Sequence, residues 1–212
     1  MTAYIDIHTH CEQNQNPFAV RNLKIDEAKL FLDTHPESYC SIGIHPWDVH
    51  LADTLMIVEL EKLAVNKMVV AIGECGLDKN STASIKEQDY YFERQVMLSE
   101  KLGKPLIIHA VTSFNEIMAM KKRIQPKQAW IIHGFRGKPE LAKQLLKMGF
   151  ILSFGEKFNP LSVEITPLNQ LCVETDTSFM KIEDIYQTIS GIKACQPSEL
   201  NAGCHILKLF YC

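Results

Sequence analysis

Two histidines separated by one residue end a short apolar segment near the start of the sequence. Tyr4, Ile5 and Ile7 are aromatic or β-branched, so the segment predicts a buried strand that runs into His8-Thr-His10. Because side chains alternate along a strand, His8 and His10 point to the same face. Two imidazoles on one face suit a divalent cation, although a strand that simply ends in two polar residues would have the same sequence.

Four later segments repeat this layout, each an apolar, strand-like run followed by a histidine or a carboxylate. The residues that follow these runs are Glu74, His109, His133 and Asp176. Taken singly, each has a structural explanation, since a histidine can be hydrogen-bonded in a core and Asp176 can cap a helix. The same coincidence at successive strand ends favours one shared site.

The number of ligands predicts more than one metal ion. Four imidazoles and two carboxylates exceed what a single four-coordinate ion uses, so two divalent ions are expected. Two ions need a bridging ligand, and Glu74 offers two carboxylate oxygens for that role. The mixed nitrogen and oxygen set favours zinc, manganese, iron or nickel over magnesium, but it does not exclude magnesium. The cofactor prediction is two divalent ions: zinc, manganese or magnesium.

The elements that position these residues alternate between strand and helix along the whole chain. Predicted strands are Tyr4–Ile7, Phe18–Val20, Tyr39–Ile44, Met68–Ile72, Leu106–Ile108, Ala129–Ile132, Phe150–Phe154 and Leu171–Val173. Predicted helices are Ile25–Thr34, Asp53–Asn66, Ser84–Leu102, Phe114–Ile124, Pro139–Met148, Ile182–Lys193 and Leu200–Phe210. Continuous apolar strands separated by helices predict a parallel sheet with both faces covered.

A doubly wound open sheet and a closed barrel both fit that alternation, and the polar residues decide between them. They follow at least five strands, always at the carboxyl end. A barrel brings these ends into one ring, whereas an open sheet spreads them along a line. We therefore predict an α/β fold, a trimmed (β/α)8 TIM-like barrel, in which residues 1–212 form a single domain.

Composition sets further limits. The net charge of −3 gives no global attraction to nucleic acid or anionic membranes, so a phosphate-bearing substrate must be held locally. The sequence lacks an apolar run long enough to cross a bilayer and lacks a signal-like start, so we expect no membrane association. Seven cysteines without a CxxC pair indicate free thiols and a cytoplasmic location. The oligomeric state is not predicted.

Six short segments together resemble the TatD family of metal-dependent deoxyribonucleases, within the amidohydrolase-like superfamily. They run in family order across nearly the whole chain, which makes the match specific. The matching segments are Asp6-Ile-His-Thr-His10, Gly43-Ile-His-Pro46, Gly73-Glu-Cys-Gly-Leu-Asp78, Ile107-Ile-His109, His133-Gly-Phe135 and Glu174-Thr-Asp176. The resemblance implies a (β/α)8 barrel and a two-metal phosphodiesterase acting on DNA or a small phosphodiester.

The resemblance also implies a division of labour among these residues. One ion would bind His8, His10 and Asp176. The other would bind His109 and His133, with Glu74 shared between the two ions. His45 would lie at the rim near the phosphate. We predict Asp176 and Glu74 as catalytic residues, with Asp176 accepting a proton from the attacking water.

The chain departs from the family pattern on the substrate side. Val111 stands where family members usually carry an arginine, and Arg136 and Lys138 follow His133 where small residues are more common. We predict His45, Arg136 and Lys138 as substrate-binding residues, although the two basic residues could equally be solvated loop charges. The family's basic, asparagine-containing stretch after the last motif is absent. The short stretch between His10 and Tyr39 predicts a trimmed first helix.

Two other functions remain open from the sequence. An amidohydrolase of the same fold would cleave a C–N or ester bond, but its usual bridging group is a carboxylated lysine and Glu74 stands at that place. A non-catalytic metal-binding interaction protein would be expected to have lost a ligand or Asp176. The sequence retains all six predicted ligands, which favours an enzyme.

Overall fold

A computed structural model of the chain describes residues 4–208. Within this range, eight parallel strands form one sheet whose spatial order follows the chain order. The strands are β1 (Asp6–Thr9), β2 (Ala19–Leu23), β3 (Cys40–Ile42), β4 (Val69–Asp78), β5 (Leu106–Val111), β6 (Trp130–Ile132), β7 (Phe150–Phe154) and β8 (Leu171–Val173). A β-bridge joins Thr9 at the end of β1 to Asp176, three residues beyond β8. The predicted (β/α)8 TIM-like barrel fold is confirmed.

Helices alternate with most of these strands. The helices of the described range are α1 (Ile25–Thr34), α2 (Thr54–Leu63), α3 (Ile85–Leu102), α4 (Phe114–Ile124), α5 (Pro139–Lys147), α6 (Pro160–Ile165), α7 (Ile182–Lys193) and α8 (Ala202–Leu207). The connection between β1 and β2, residues 10–18, contains no helix, so the first helix is trimmed as predicted. Residues 209 and 210 of the predicted last helix lie outside the described residues.

Most predicted boundaries agree with the structure, and two differences have physical causes. Strand β4 continues to Asp78 although it contains two glycines, Gly73 and Gly76, that are typical of a loop. Gly76 has φ +134°, and a Cβ there would collide with the carbonyl oxygen of His109 on β5, so glycine lets the two strands pair closely. Helix α6 was not predicted. It begins at Pro160 because the Asn159 side chain accepts hydrogen bonds from two backbone N–H groups of its first turn.

The described chain packs as two compact units. The first unit comprises the segments up to Arg21 and from Ile131 onwards, and the second is Asn22–Trp130. In the first unit, the buried Tyr186 hydroxyl of α7 accepts from the Ile5 N–H at 3.0 Å and donates to the Ile5 carbonyl at 2.9 Å. This pair of bonds fixes the start of the strand that carries the first two histidines.

Two buried glutamines of α3 fix the backbone of the second unit near the carboxyl ends of β3 and β4. The Gln95 amide accepts from the Ile44 N–H at 2.7 Å and donates to the Ile44 carbonyl at 3.1 Å. Gln88 accepts from the Asp78 N–H at 2.8 Å and donates to the Asp78 carbonyl at 3.0 Å. Because a buried amide must keep these partners, α3 determines where the segments that follow β3 and β4 lie.

The cysteine prediction is only partly correct. Cys11, Cys40, Cys75, Cys172 and Cys195 are free thiols. Cys204 is disulfide-bonded, which corrects the expectation that all are free. Cys75 is buried and its thiol faces the Ile107 carbonyl, in agreement with a packing role. In the described residues, no helix combines the length and hydrophobicity needed to span a bilayer.

Candidate metal centre

His8 and His10 meet Asp176 within the first unit. Nε2 of His8 lies 3.9 Å and Nε2 of His10 lies 3.7 Å from Oδ1 of Asp176. The two imidazoles reach the same oxygen because they project from the same face of β1, as their spacing predicts. The Asp176 backbone is fixed as well, since its N–H donates to the His8 carbonyl and its carbonyl accepts from the His10 N–H, both at 2.9 Å.

Buried Asp6 holds the segment that carries Asp176. Its carboxylate accepts from the Thr175 N–H at 2.9 Å, the Thr175 hydroxyl at 2.7 Å and the Asn14 amide at 3.0 Å. Burial raises the pKa of Asp6 to about 7, although these hydrogen bonds favour its ionised form. Asp6 thus positions the segment that carries Asp176 through its two hydrogen bonds with Thr175.

Glu174 is a buried carboxylate that the sequence analysis did not single out. Its Oε1 accepts from the Gly134 N–H at 2.6 Å and lies 3.4 Å from Nδ1 of His133. Burial opposes ionisation of Glu174, but hydrogen bonding and positive charge from His133 outweigh it, so the pKa of Glu174 lies below its ordinary value. The sequence contains a signal for Glu174 as a candidate ligand, because Glu174 and Asp176 flank one residue after the end of β8.

The second unit contains another histidine–carboxylate cluster. Oε1 of the buried Glu74 lies 2.7 Å from Nδ1 of His109 and 3.1 Å from Nε2 of His45. Asn22 supports this strand end by accepting from the Glu74 N–H at 2.7 Å and from the Ser41 hydroxyl at 3.2 Å. His45 was predicted to bind substrate, and the structure places its ring directly against Glu74.

Asp78 is the other carboxylate that the sequence analysis missed. Its Oδ2 lies 3.0 Å from Nε2 of His109 and accepts from the Trp47 indole N–H at 2.7 Å. Burial opposes ionisation of Asp78, but hydrogen bonds from the Asn80 N–H, His109 and Trp47 outweigh it and keep the pKa below its ordinary value. His109 is therefore held through both ring nitrogens by carboxylates.

Comparison with known proteins identifies the lineage. The sequence profile of the family described as TatD related DNase matches residues 7–203, which is nearly the whole chain. The chain belongs to the TatD-related DNase family. One curated TatD relative, the uncharacterized metal-dependent hydrolase YabD of Bacillus subtilis, is 31% identical over 74% of this chain and 65% of its own length. A second, named 3'-5' ssDNA/RNA exonuclease TatD, from Pantoea ananatis, is 32% identical over 77% of this chain and 67% of its own length.

Solved TatD structures share the fold. The crystal structure of YJJV, a TatD homolog from Escherichia coli, superposes with a TM-score of 0.80 at 16% identity, over 98% of this chain and 97% of the other. A TatD family hydrolase from Entamoeba histolytica gives a TM-score of 0.76 at 16% identity, over 99% and 98% of the two chains. The match to YabD spans about two thirds of that relative's length. By sequence and fold, the chain is a TatD-family metal-dependent hydrolase.

The side chains fit divalent ions at the clusters just described. In each of three groups, the nitrogen and oxygen ligand atoms lie within 4.8 Å of one another. The groups are His8–His10–Asp176, His133–Glu174–Asp176 and His45–Glu74–His109. Zinc and manganese sites in proteins use imidazole nitrogen and carboxylate oxygen as ligands. A bound ion would also neutralise the buried carboxylates that face the imidazoles.

The predicted basic residues lie in different surroundings. Arg136 is exposed and lines a cleft of about 210 Å3 in the first unit, together with Asp176. Lys138 is also exposed, but it precedes α5 and is not among the residues that line this cleft. Val111, at the place of the missing family arginine, ends β5 beside Asp78 of β4. The substrate-binding roles of Arg136, Lys138 and His45 stay predictions.

Proposed function

We propose that this protein is a two-metal phosphodiesterase that hydrolyses single-stranded nucleic acid. The observation that carries the proposal is the position of the Asp176 carboxylate. Its Oδ1 lies 3.7–3.9 Å from the imidazoles of His8 and His10, and the same side chain belongs to the cluster with His133 and Glu174. A carboxylate shared by two sets of ligands is suited to act on a water molecule between them.

The proposed ligands are those predicted from the sequence: His8, His10, Glu74, His109, His133 and Asp176. The structure adds Glu174 and His45 as further candidate donors. Divalent ions held by this set would supply the Lewis acidity that makes water nucleophilic near neutral pH. Glu74 as a bridging ligand remains a prediction, to be tested by counting the ions in variants.

Side chains of the protein would accept the proton of the attacking water and bind the charged phosphate. Asp176 would accept a proton from the attacking water, because its backbone is held on both sides by β1 and its side chain is only partly exposed. Arg136 would donate charge-assisted hydrogen bonds to phosphate oxygens in the cleft that it shares with Asp176. The name of the Pantoea relative, a 3'-5' ssDNA/RNA exonuclease, supports single strands as the substrate class.

The first experiment measures hydrolysis of several bond types and the metal content in the same preparation. Metal-free protein would be reconstituted with zinc or manganese, analysed for metal content, and given bis-(p-nitrophenyl) phosphate, an activated ester, an amide and a single-stranded oligonucleotide. We expect turnover of both phosphodiesters and two ions per chain at saturation. Turnover of the amide or ester alone would select an amidohydrolase. Metal binding without any turnover would select a non-catalytic role, and a content that never exceeds one ion would refute the two-metal version.

A further inference from the structure

The most exposed aromatic side chain of the first unit lies in the cleft that contains Asp176. The Phe179 side chain is 98% exposed, whereas the other aromatic residues described in this unit are buried or partly buried. A single exposed apolar residue is common on protein surfaces, so exposure by itself indicates nothing. The location is informative, because Phe179 lines the same cleft as Asp176, Arg136 and Lys157.

The backbone that carries Phe179 is ordered by hydrogen bonds on each side. The Ser178 N–H donates to the Thr175 carbonyl at 2.9 Å, and the Ser178 hydroxyl accepts from the Met180 N–H at 3.0 Å. Thr175 is in turn fixed by the buried Asp6. The aromatic ring is therefore held out into water by a defined loop, three residues from the candidate general base.

The charged side chains of the cleft lie at different depths. Asp176 and the buried Glu174 belong to the candidate metal clusters, where bound ions would neutralise them. Glu156, which is exposed, accepts a hydrogen bond from the Ser178 hydroxyl at 2.7 Å. Arg136 and Lys157 supply two positive charges to the same cleft. A phosphodiester chain would meet basic side chains and an aromatic face beside the metal ligands.

We propose that Phe179 stacks on a nucleobase next to the scissile phosphate, while Arg136 and Lys157 hold the neighbouring backbone phosphate. This inference rests on the proposed function and adds a base-recognition site to it. The ring offers a π-face but no hydrogen-bonding group, so it would accept any base. It requires an unpaired base, because the faces of paired bases in a duplex are covered by their neighbours. Phe179 would thus favour single strands or frayed ends.

The test is a cycle that removes the ring and the base separately. Binding of a fluorescent single-stranded oligonucleotide would be measured by anisotropy without added catalytic metal, so that the result does not depend on turnover. Phe179→Ala should weaken binding about 5- to 160-fold, the range for loss of one stacked base. Phe179→Trp should retain binding, and Phe179→Leu should lose most of it, because leucine keeps apolar bulk without a π-face.

Oligonucleotides that carry one abasic residue at successive positions complete the cycle. At one position, removal of the base should weaken binding to the wild type and leave binding to Phe179→Ala unchanged. Leu161→Ala, which removes an exposed apolar side chain of α6 outside the cleft, is the matched control and should bind like the wild type.

The outcomes separate this inference from the proposed function. Equal affinity of wild type and Phe179→Ala would overturn the stacking site even if the enzyme cleaves phosphodiesters normally. Equal losses at all positions of the abasic series would overturn it as well, because they would show that no single base is bound by the ring. Conversely, absence of phosphodiester turnover in the wild type would refute the proposed function, and the binding cycle would still decide whether Phe179 stacks on a base.

Discussion

Nε2 of His109 lies 3.0 Å from Oδ2 of Asp78, a carboxylate that is itself fixed by the Trp47 indole. A histidine that binds a metal through one nitrogen usually donates its other N–H to a carboxylate or carbonyl, which sets the tautomer and the ring orientation. Asp78 fits that role for His109, since the second ring nitrogen faces Glu74 at 2.7 Å.

Asp78→Asn should therefore weaken the metal site without removing a ligand. We expect metal affinity or activity to fall about 10- to 100-fold, because the amide replaces an acceptor-only carboxylate and disturbs the His109 tautomer. Metal affinity would be measured by competition with a chelator. Asp184→Asn, an exposed acidic residue of α7, is the control. Unchanged affinity in Asp78→Asn would show that the contact is only structural.

Glu74→Ala should remove the predicted shared carboxylate. Its Oε1 contacts both His45 and His109, so the substitution also removes the carboxylate that these two imidazoles share. We expect activity at background and a lower metal content, with circular dichroism like that of the wild type. Glu37→Ala removes an exposed carboxylate and should change neither property. Retention of both ions and normal turnover in Glu74→Ala would mean that Glu74 does not bridge.

Asp176→Asn should separate an enzyme from a metal-binding protein. Asparagine keeps the shape and one oxygen, yet it cannot accept a proton from water at neutral pH. Loss of a general base typically costs about 10²- to 10⁴-fold in rate. We expect that loss in kcat, with melting temperature near the wild-type value and part of the metal retained. Turnover within a few-fold of the wild type would contradict the proposed mechanism.

Arg136 and Lys138 should differ in their effect on nucleic acid binding. Arg136 lines the cleft with Asp176 and Lys138 does not. Arg136→Gln should weaken oligonucleotide binding and reduce the slope of log affinity against log salt by about one, since one phosphate contact is lost. Lys138→Gln is the neighbouring control and should have a smaller effect. Equal slopes for both variants would mean that the cleft does not hold the phosphate.

Lys121 provides a prediction about stability and pH. Burial lowers the pKa of this lysine from 10.5 to about 8, against the opposing attraction of Glu100. The folded state thus binds the proton less tightly than the unfolded state. This difference lowers the free energy of unfolding. The destabilisation is complete below pH 8 and disappears as the pH rises towards 10.5.

Lys121→Met should therefore raise the free energy of unfolding at pH 7, by about 1–3 kcal/mol. The gain should shrink as the pH rises, because the wild-type lysine then becomes neutral in the unfolded state as well. Loss of the contact between Lys121 and the Trp130 ring, at 5.1 Å, would offset part of it. Urea unfolding at several pH values would measure the difference. Lys122→Met, on the exposed side of α4, should show no such trend.

Local sequence patterns determined the fold and the predicted ligands of this protein. The period of the apolar residues distinguished strands from helices. Ten of the described strands and helices have the predicted bounds within two residues, and α1 and α4 have them without any difference. The alternation of side chains placed His8 and His10 on one face of β1. These features follow from covalent geometry and residue spacing, which the sequence itself contains.

Tertiary structure decided which carboxylates face which imidazoles. The sequence separation is 31 residues between Asp78 and His109, and 35 residues between Glu74 and His109. Such contacts depend on strand register and on where neighbouring loops are anchored, for instance by the buried amide of Gln88. No local period encodes these distances, because they arise only when separate strands pair and the helix between them packs.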